Sequence, residues 1–167
     1  MGLTSVCLGH AYEPIIDVVR NELLKGSNFQ CPSPIEVELA ETFLSAVPSA
    51  EMVKFAKNGS SVTTAAVKLA RAFTGKKLVA FCSDHGFFSY DDWYIGKKPN
   101  NSGVPSEISD LTLTFKYNDI KSVEDLFNNY PNQIACIILE PMEFDFPEDN
   151  YLHKVRDLCH KNGALFI

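Results

Sequence analysis

At 167 residues, with 46% apolar and 22% charged side chains, the chain is long enough to bury one sizeable core and too apolar to read as disordered. A net charge of −6 without any Lys/Arg run argues against a nucleic-acid surface, and no apolar run approaches the ~20 residues of a membrane span. Five scattered cysteines with no CxxC pair, and an opening segment (residues 1–7) lacking the charged and apolar regions of a secretory signal, favour reduced thiols in a cytoplasmic setting.

In chain order, Pro14–Lys25 places Ile15, Val18, Val19 and Leu23 on one helical face, with Gly26 beyond its end. Ser33-Pro34-Ile35-Glu36 opens a second helix with a capping-box pattern, and Pro48 closes it. Glu51–Lys57 reads as a strand, Asn58-Gly59-Ser60-Ser61 as a tight turn, and Ser60–Thr74 as an Ala-rich helix stopped by Gly75. Lys77–Cys82 is a short, almost wholly apolar strand of the kind covered on both faces in a parallel sheet. Residues 83–110 are punctuated by Gly86, Gly96, Pro99, Gly103 and Pro105, and carry Phe87, Phe88, Tyr90, Trp93 and Tyr94; so long a connection is usually functional. A strand at Leu111–Tyr117, a helix at Ser122–Tyr130, a buried strand at Gln133–Leu139, a helix at Asn150–Lys161 and a strand from Ala164 follow. Alternation at this spacing predicts an α/β fold with a mostly parallel sheet flanked by helices. Residues 1–50 form a helical lead-in, and 51–167 the main part.

Chemistry in such a sheet gathers at the carboxyl ends of the strands, here Asn58–Ser61, Ser83–Gly86 and Glu140. A Gly/Ser turn opening a helix presents free N–H groups and the positive helix end, which suits a phosphate. The same residues also fit a capped helix with no ligand. His85 reads either as a site residue or as a hydrogen-bonded structural histidine. Glu140 reads either as a site carboxylate or as a solvated strand end. Glu143, Asp145, Glu148 and Asp149 have no His or Cys partners at metal-ligand spacing and read as a solvated loop rather than a metal site.

Several segments in order resemble the class-III, pyridoxal-phosphate-dependent aminotransferases of fold type I, nearest to glutamate-1-semialdehyde 2,1-aminomutases and related aminotransferases. They are Leu8-Gly9-His10-Ala11, Ile35–Glu41, Val47-Pro48-Ser49-Ala50-Glu51-Met52-Val53, Leu69–Gly75, His85-Gly86, Gly103-Val104-Pro105, Tyr117-Asn118-Asp119, Ile138-Leu139-Glu140-Pro141 and Gly163–Ile167. The resemblance implies that Asn58, Gly59, Ser60 and Ser61 hold the phosphate of pyridoxal 5′-phosphate, with His85 and Glu140 near the cofactor. It implies an amino/keto substrate and a homodimer joined through a surface that includes residues 83–110. The family's Asp-Glu pair and Schiff-base lysine fall beyond Ile167, so the resemblance implies a chain truncated at both ends and inactive alone. Asp84 stands where the family carries an aromatic stacked on the cofactor ring. An acid offers no π-face, so Phe87 or Phe88 takes that role or the ring is held differently. The Lys57–Ser60 loop and Asp92-Trp93-Tyr94-Ile95-Gly96 look closer to aminotransferases that act on sugars for surface polysaccharides. A non-catalytic binding or dimerisation module is the remaining alternative.

Overall fold

The structure, a computed structural model, describes residue 2 and residues 5–167, so Met1, Leu3 and Thr4 of the segment read for a targeting signal lie outside the described residues. The chain divides into two compact units, Met1–Lys54 and Phe55–Ile167. The first holds α1 (Glu13–Leu23) and α2 (Pro34–Ala46). Pro14 sits in the first turn of α1, and the Ser33 amide donates to Glu36 Oε2 at 2.9 Å, which is half of the capping box read from the sequence. Neither helix buries a residue, so Ile15, Val18, Val19 and Leu23 remain exposed.

The second unit runs α3 (Gly59–Thr74), β1 (Leu78–Cys82), α4 (Asp92–Ile95), α5 (Ser106–Ser109), β2 (Thr112–Phe115), α6 (Ile120–Asn129), β3 (Ile134–Ile138), α7 (Tyr151–Lys161) and β4 (Leu165–Phe166). Four parallel strands form one sheet in the order β2-β1-β3-β4. The two central strands are buried along their whole length, which is why LVAFC and IACII read as unbroken apolar runs. Leu78, Ala80 and Cys82 face a core shared with Val123 and Phe127 of α6 and Val155 and Cys159 of α7. Val79 and Phe81 face the opposite core, with Val67 and Ala70 of α3 and the aromatics Phe88, Trp93 and Tyr94. Between β1 and β3 the register skips Ala135, pairing Leu78 with Ile134 but Val79 with Cys136. That bulge puts Ala135 and Cys136 on the same face, the α3 side, and breaks the strict alternation of β3.

One expectation needs correcting. Residues 51–57 form no strand: Met52 is 86% exposed and Phe55 39% exposed, so the segment has no buried face to hold it in a ladder. The 83–110 connection contains two one-turn helices, and three of its five aromatics, Phe88, Trp93 and Tyr94, belong to the core. Trp93 and Tyr94 are buried, with the Tyr94 ring 4.8 Å from that of Phe81 and 5.6 Å from that of Phe88.

The connection after β1 leads to β2 on one side, and the connection after β3 leads to β4 on the other. The crevice between the carboxyl ends of β1 and β3 is therefore a switch point, where open parallel sheets bind ligands. A short link returns α3 to the start of β1, so α3 runs against the strands and its N-terminus lies at the same edge.

Candidate functional site

The first turn of α3 leaves amide groups to be satisfied, and the chain satisfies only some of them. Asn58 is the N-cap in extended backbone, φ −156° and ψ 168°, and its Oδ1 accepts the Ser61 amide at 3.0 Å. The Asn58 carbonyl accepts the Val62 amide at 3.2 Å. The amides of Gly59 and Ser60 have no partner among the described residues. A Cβ built on Gly59 meets nothing within 4 Å, so the space before these amides is open. Asn58 thus serves as the cap, and the main-chain donors left open in this turn are the amides of Gly59 and Ser60.

Ser60 is buried, and its hydroxyl oxygen accepts the Tyr90 amide at 3.3 Å, which leaves its own proton free to donate. One face of α3 binds the loop after β1. Thr63 Oγ1 donates to the Phe88 carbonyl at 2.9 Å, Thr64 Oγ1 donates to Asp91 Oδ2, and Trp93 Nε1 donates to Thr64 Oγ1 at 2.9 Å. Spacing of i, i+3 and i+4 puts residues 60, 63 and 64 on one stripe. This stitching fixes the helix end against the carboxyl edge of the sheet.

His85 and Glu140 meet across the β1/β3 crevice, through the backbone of Glu140. Its amide donates to His85 Nδ1 at 3.2 Å. An accepting Nδ1 carries no proton, so neutral His85 holds its proton on Nε2, and that atom is buried without a partner. His85 is only 6% exposed, with its ring 4.8 Å from that of Tyr117. Burial lowers its pKa, opposed by the negative charges of Glu143, Glu140 and Asp84. An unpartnered N–H in so dry a place needs an acceptor.

Asp84 turns away from the crevice. Its Oδ1 accepts from Lys116 Nζ at 2.7 Å and its Oδ2 accepts the Tyr117 amide at 2.9 Å, tying the end of β1 to the end of β2. Of the two aromatics that could replace it, Phe88 is already packed in the core, while Phe87 is 66% exposed. Glu143 also departs from the solvated-loop reading: its Oε2 accepts the Gly86 amide at 2.6 Å. Neither Lys116 nor Glu143 signalled its partner in the sequence, because each lies more than thirty residues away. Among the described residues, no group of His, Cys, Asp or Glu could hold a metal ion, and no helix is long and apolar enough to cross a membrane.

Two open amides, the Ser60 hydroxyl proton and a buried imidazole N–H are thus donors without a partner among the described residues at this edge of the sheet. A family model for aminotransferase class-III matches residues 1–167. Glutamate-1-semialdehyde 2,1-aminomutases from Francisella philomiragia and Acidobacterium capsulatum are 35% and 36% identical to it, each over 96% of this chain and 40% of the relative. An omega-transaminase from Sphaerobacter thermophilus superposes with a TM-score of 0.87 at 25% identity, over 98% of this chain and 41% of that one. The FumI protein of Sphingopyxis sp. MTA144, solved in a PLP form, gives 0.83 at 28% identity, over 94% and 38%. The chain thus spans about 40% of the length of the curated relatives it matches. The chain belongs to the class-III aminotransferase family.

Proposed function

We propose that this chain seats the phosphate of pyridoxal 5′-phosphate in an enzyme that moves an amino group, in the manner of a glutamate-1-semialdehyde 2,1-aminomutase or a class-III transaminase. The observation that carries the reading is the pair of unpartnered amides, Gly59 and Ser60, at the start of a 16-residue helix that begins at the carboxyl edge of the sheet. Charge-assisted hydrogen bonds from amides to an anion are each worth about 1.5–3 kcal/mol, and the helix end adds ~0.3–1 kcal/mol. The Ser60 hydroxyl contributes a third donor.

When bound, the cofactor supplies an electron-withdrawing ring that stabilises negative charge on the carbon bearing the amino group. The chain's own residues position and enclose it. The Thr63 and Thr64 contacts hold the helix end rigid. His85 keeps its proton on the buried Nε2, and the Glu140 carboxylate adds negative charge nearby. Phe87 is the aromatic left available to lie against the ring in place of Asp84. The reading extends to a small amino/keto substrate and a homodimeric whole protein, and the five free cysteines suit a reducing cytoplasm. The test is titration of the chain with pyridoxal phosphate and with pyridoxal. Affinity at least tenfold higher for the phosphorylated form, with competition by inorganic phosphate, supports the reading. Equal affinity for the two refutes it.

A further inference from the structure

The loop after β3 is held to the loop after β1 at Gly86, whose amide donates to Glu143 Oε2 at 2.6 Å. Within the loop after β1, the Gly86 carbonyl accepts the Tyr94 hydroxyl, which fixes the residue that Glu143 grips. A Cβ at residue 86 would lie 2.6 Å from Glu143 Oε1, so any larger residue there would push the carboxylate end from its present place. The loop after β3 carries the Glu140 amide to His85 Nδ1 and is also held at Pro141, whose carbonyl accepts the Tyr117 hydroxyl at 2.5 Å.

We propose that Glu143 is the positioning residue for His85: by gripping the Gly86 amide it seats the 140–143 loop, keeps the Glu140 amide on Nδ1, and so holds the imidazole proton on the buried Nε2. The usefulness of that proton to a bound cofactor rests on the proposed function; the positioning itself does not. Glu143 acts through the backbone, and its test must separate position from charge. The charged groups that bear on His85 are Glu143 and Glu140 from the loop after β3, Asp84 beside it in sequence and Lys98 from the segment after α4, with the rings of Phe88 and Tyr117 packed against it.

The experiment is nitrogen-15 NMR of the His85 imidazole in the chain without any cofactor. Wild type is expected to show one neutral form, Nε2 protonated and Nδ1 accepting. Glu143→Gln keeps an oxygen acceptor for Gly86 while losing the charge, so the same tautomer persists as the titration midpoint moves to lower pH. Glu143→Ala removes the acceptor, so a mixture of both tautomers appears and the Glu140 amide exchanges at least tenfold faster. Gly86→Ala crowds the carboxylate from the other side and should move both readouts in the same direction as Glu143→Ala, which keeps the test alive if one variant does not fold. A single Nε2-protonated form with an unchanged Glu140 exchange rate in Glu143→Ala or Gly86→Ala would overturn the proposal. Failure of pyridoxal phosphate to bind would strike the functional reading alone, since no cofactor enters this measurement.

Discussion

Replacing Gly59 by proline removes one proposed phosphate donor with little else disturbed. Proline is at home in the first turn of a helix, where the missing N–H would otherwise be unpaired. Here that N–H has no partner within the described chain. The residue before a proline must be extended, and Asn58 already is, at φ −156° and ψ 168°. There is room as well, because a Cβ at position 59 meets nothing within 4 Å. The folded state should therefore be unchanged or stabilised, by about 0.4–1 kcal/mol from the stiffer unfolded chain. Loss of one charge-assisted hydrogen bond costs about 1.5–3 kcal/mol, or roughly 10- to 150-fold in affinity for pyridoxal phosphate. Gly59→Ala, which retains the N–H, is the control and should lose much less. Thermal melts and calorimetric titrations with pyridoxal phosphate and with pyridoxal read both effects. If G59P binds pyridoxal phosphate as wild type does, or weakens pyridoxal equally, the amide at 59 is not a phosphate ligand.

Asn58→Ala should act in the opposite sense, lowering stability by about 0.5–2 kcal/mol through the lost cap while costing less phosphate affinity than G59P, as melts and the same titrations will show. Phe81→Ala, at a site 1% exposed and ringed by Phe88, Trp93 and Tyr94, should cost about 3–5 kcal/mol in chemical denaturation. Burial works to raise the Asp84 pKa, but the Lys116 hydrogen bond, the Tyr117 amide and the Lys116 charge together hold it below the usual carboxylate range. Its stabilisation is thus present above pH ~4 and lost as pH falls through the depressed value, so D84N should show a flatter acid limb in denaturation curves measured against pH. His85 is lowered by burial, so the folded state disfavours its charged form. Its contribution is complete above pH ~6.5 and is lost as pH falls from there through the folded value. Replacing it with Gln should remove that part of the slope, and an unchanged slope would mean His85 titrates as it does in the unfolded chain.

Much of the fold was legible because its signals are local. The apolar runs at 78–82 and 134–138, Pro14 and the Ser33/Glu36 pair at helix starts, and Gly75 at φ 69° after α3 each act within a few residues. The false strand at 51–57 shows the limit of that logic, since an extended apolar segment becomes a strand only where something covers it. The turn at 58–61 was also legible, but the split between capped and free amides depended on the Asn58 rotamer. Least legible were the contacts across the crevice. Asp84 looked like a missing aromatic until Lys116 and the Tyr117 amide claimed it, and Glu143 looked like one of four solvated acids until it closed on Gly86. His85 was visible as a candidate, whereas its tautomer was set by a backbone amide 55 residues away.

The central claim is that main-chain donors at the head of α3 take the cofactor's phosphate. Amide NMR of the chain during titration with pyridoxal phosphate reads it residue by residue. The account predicts large shifts and slowed exchange at Gly59 and Ser60, little change at Ser61 and Val62, which are already bonded, and none of this with pyridoxal. Shifts absent at 59 and 60, or equally large with pyridoxal, would contradict it.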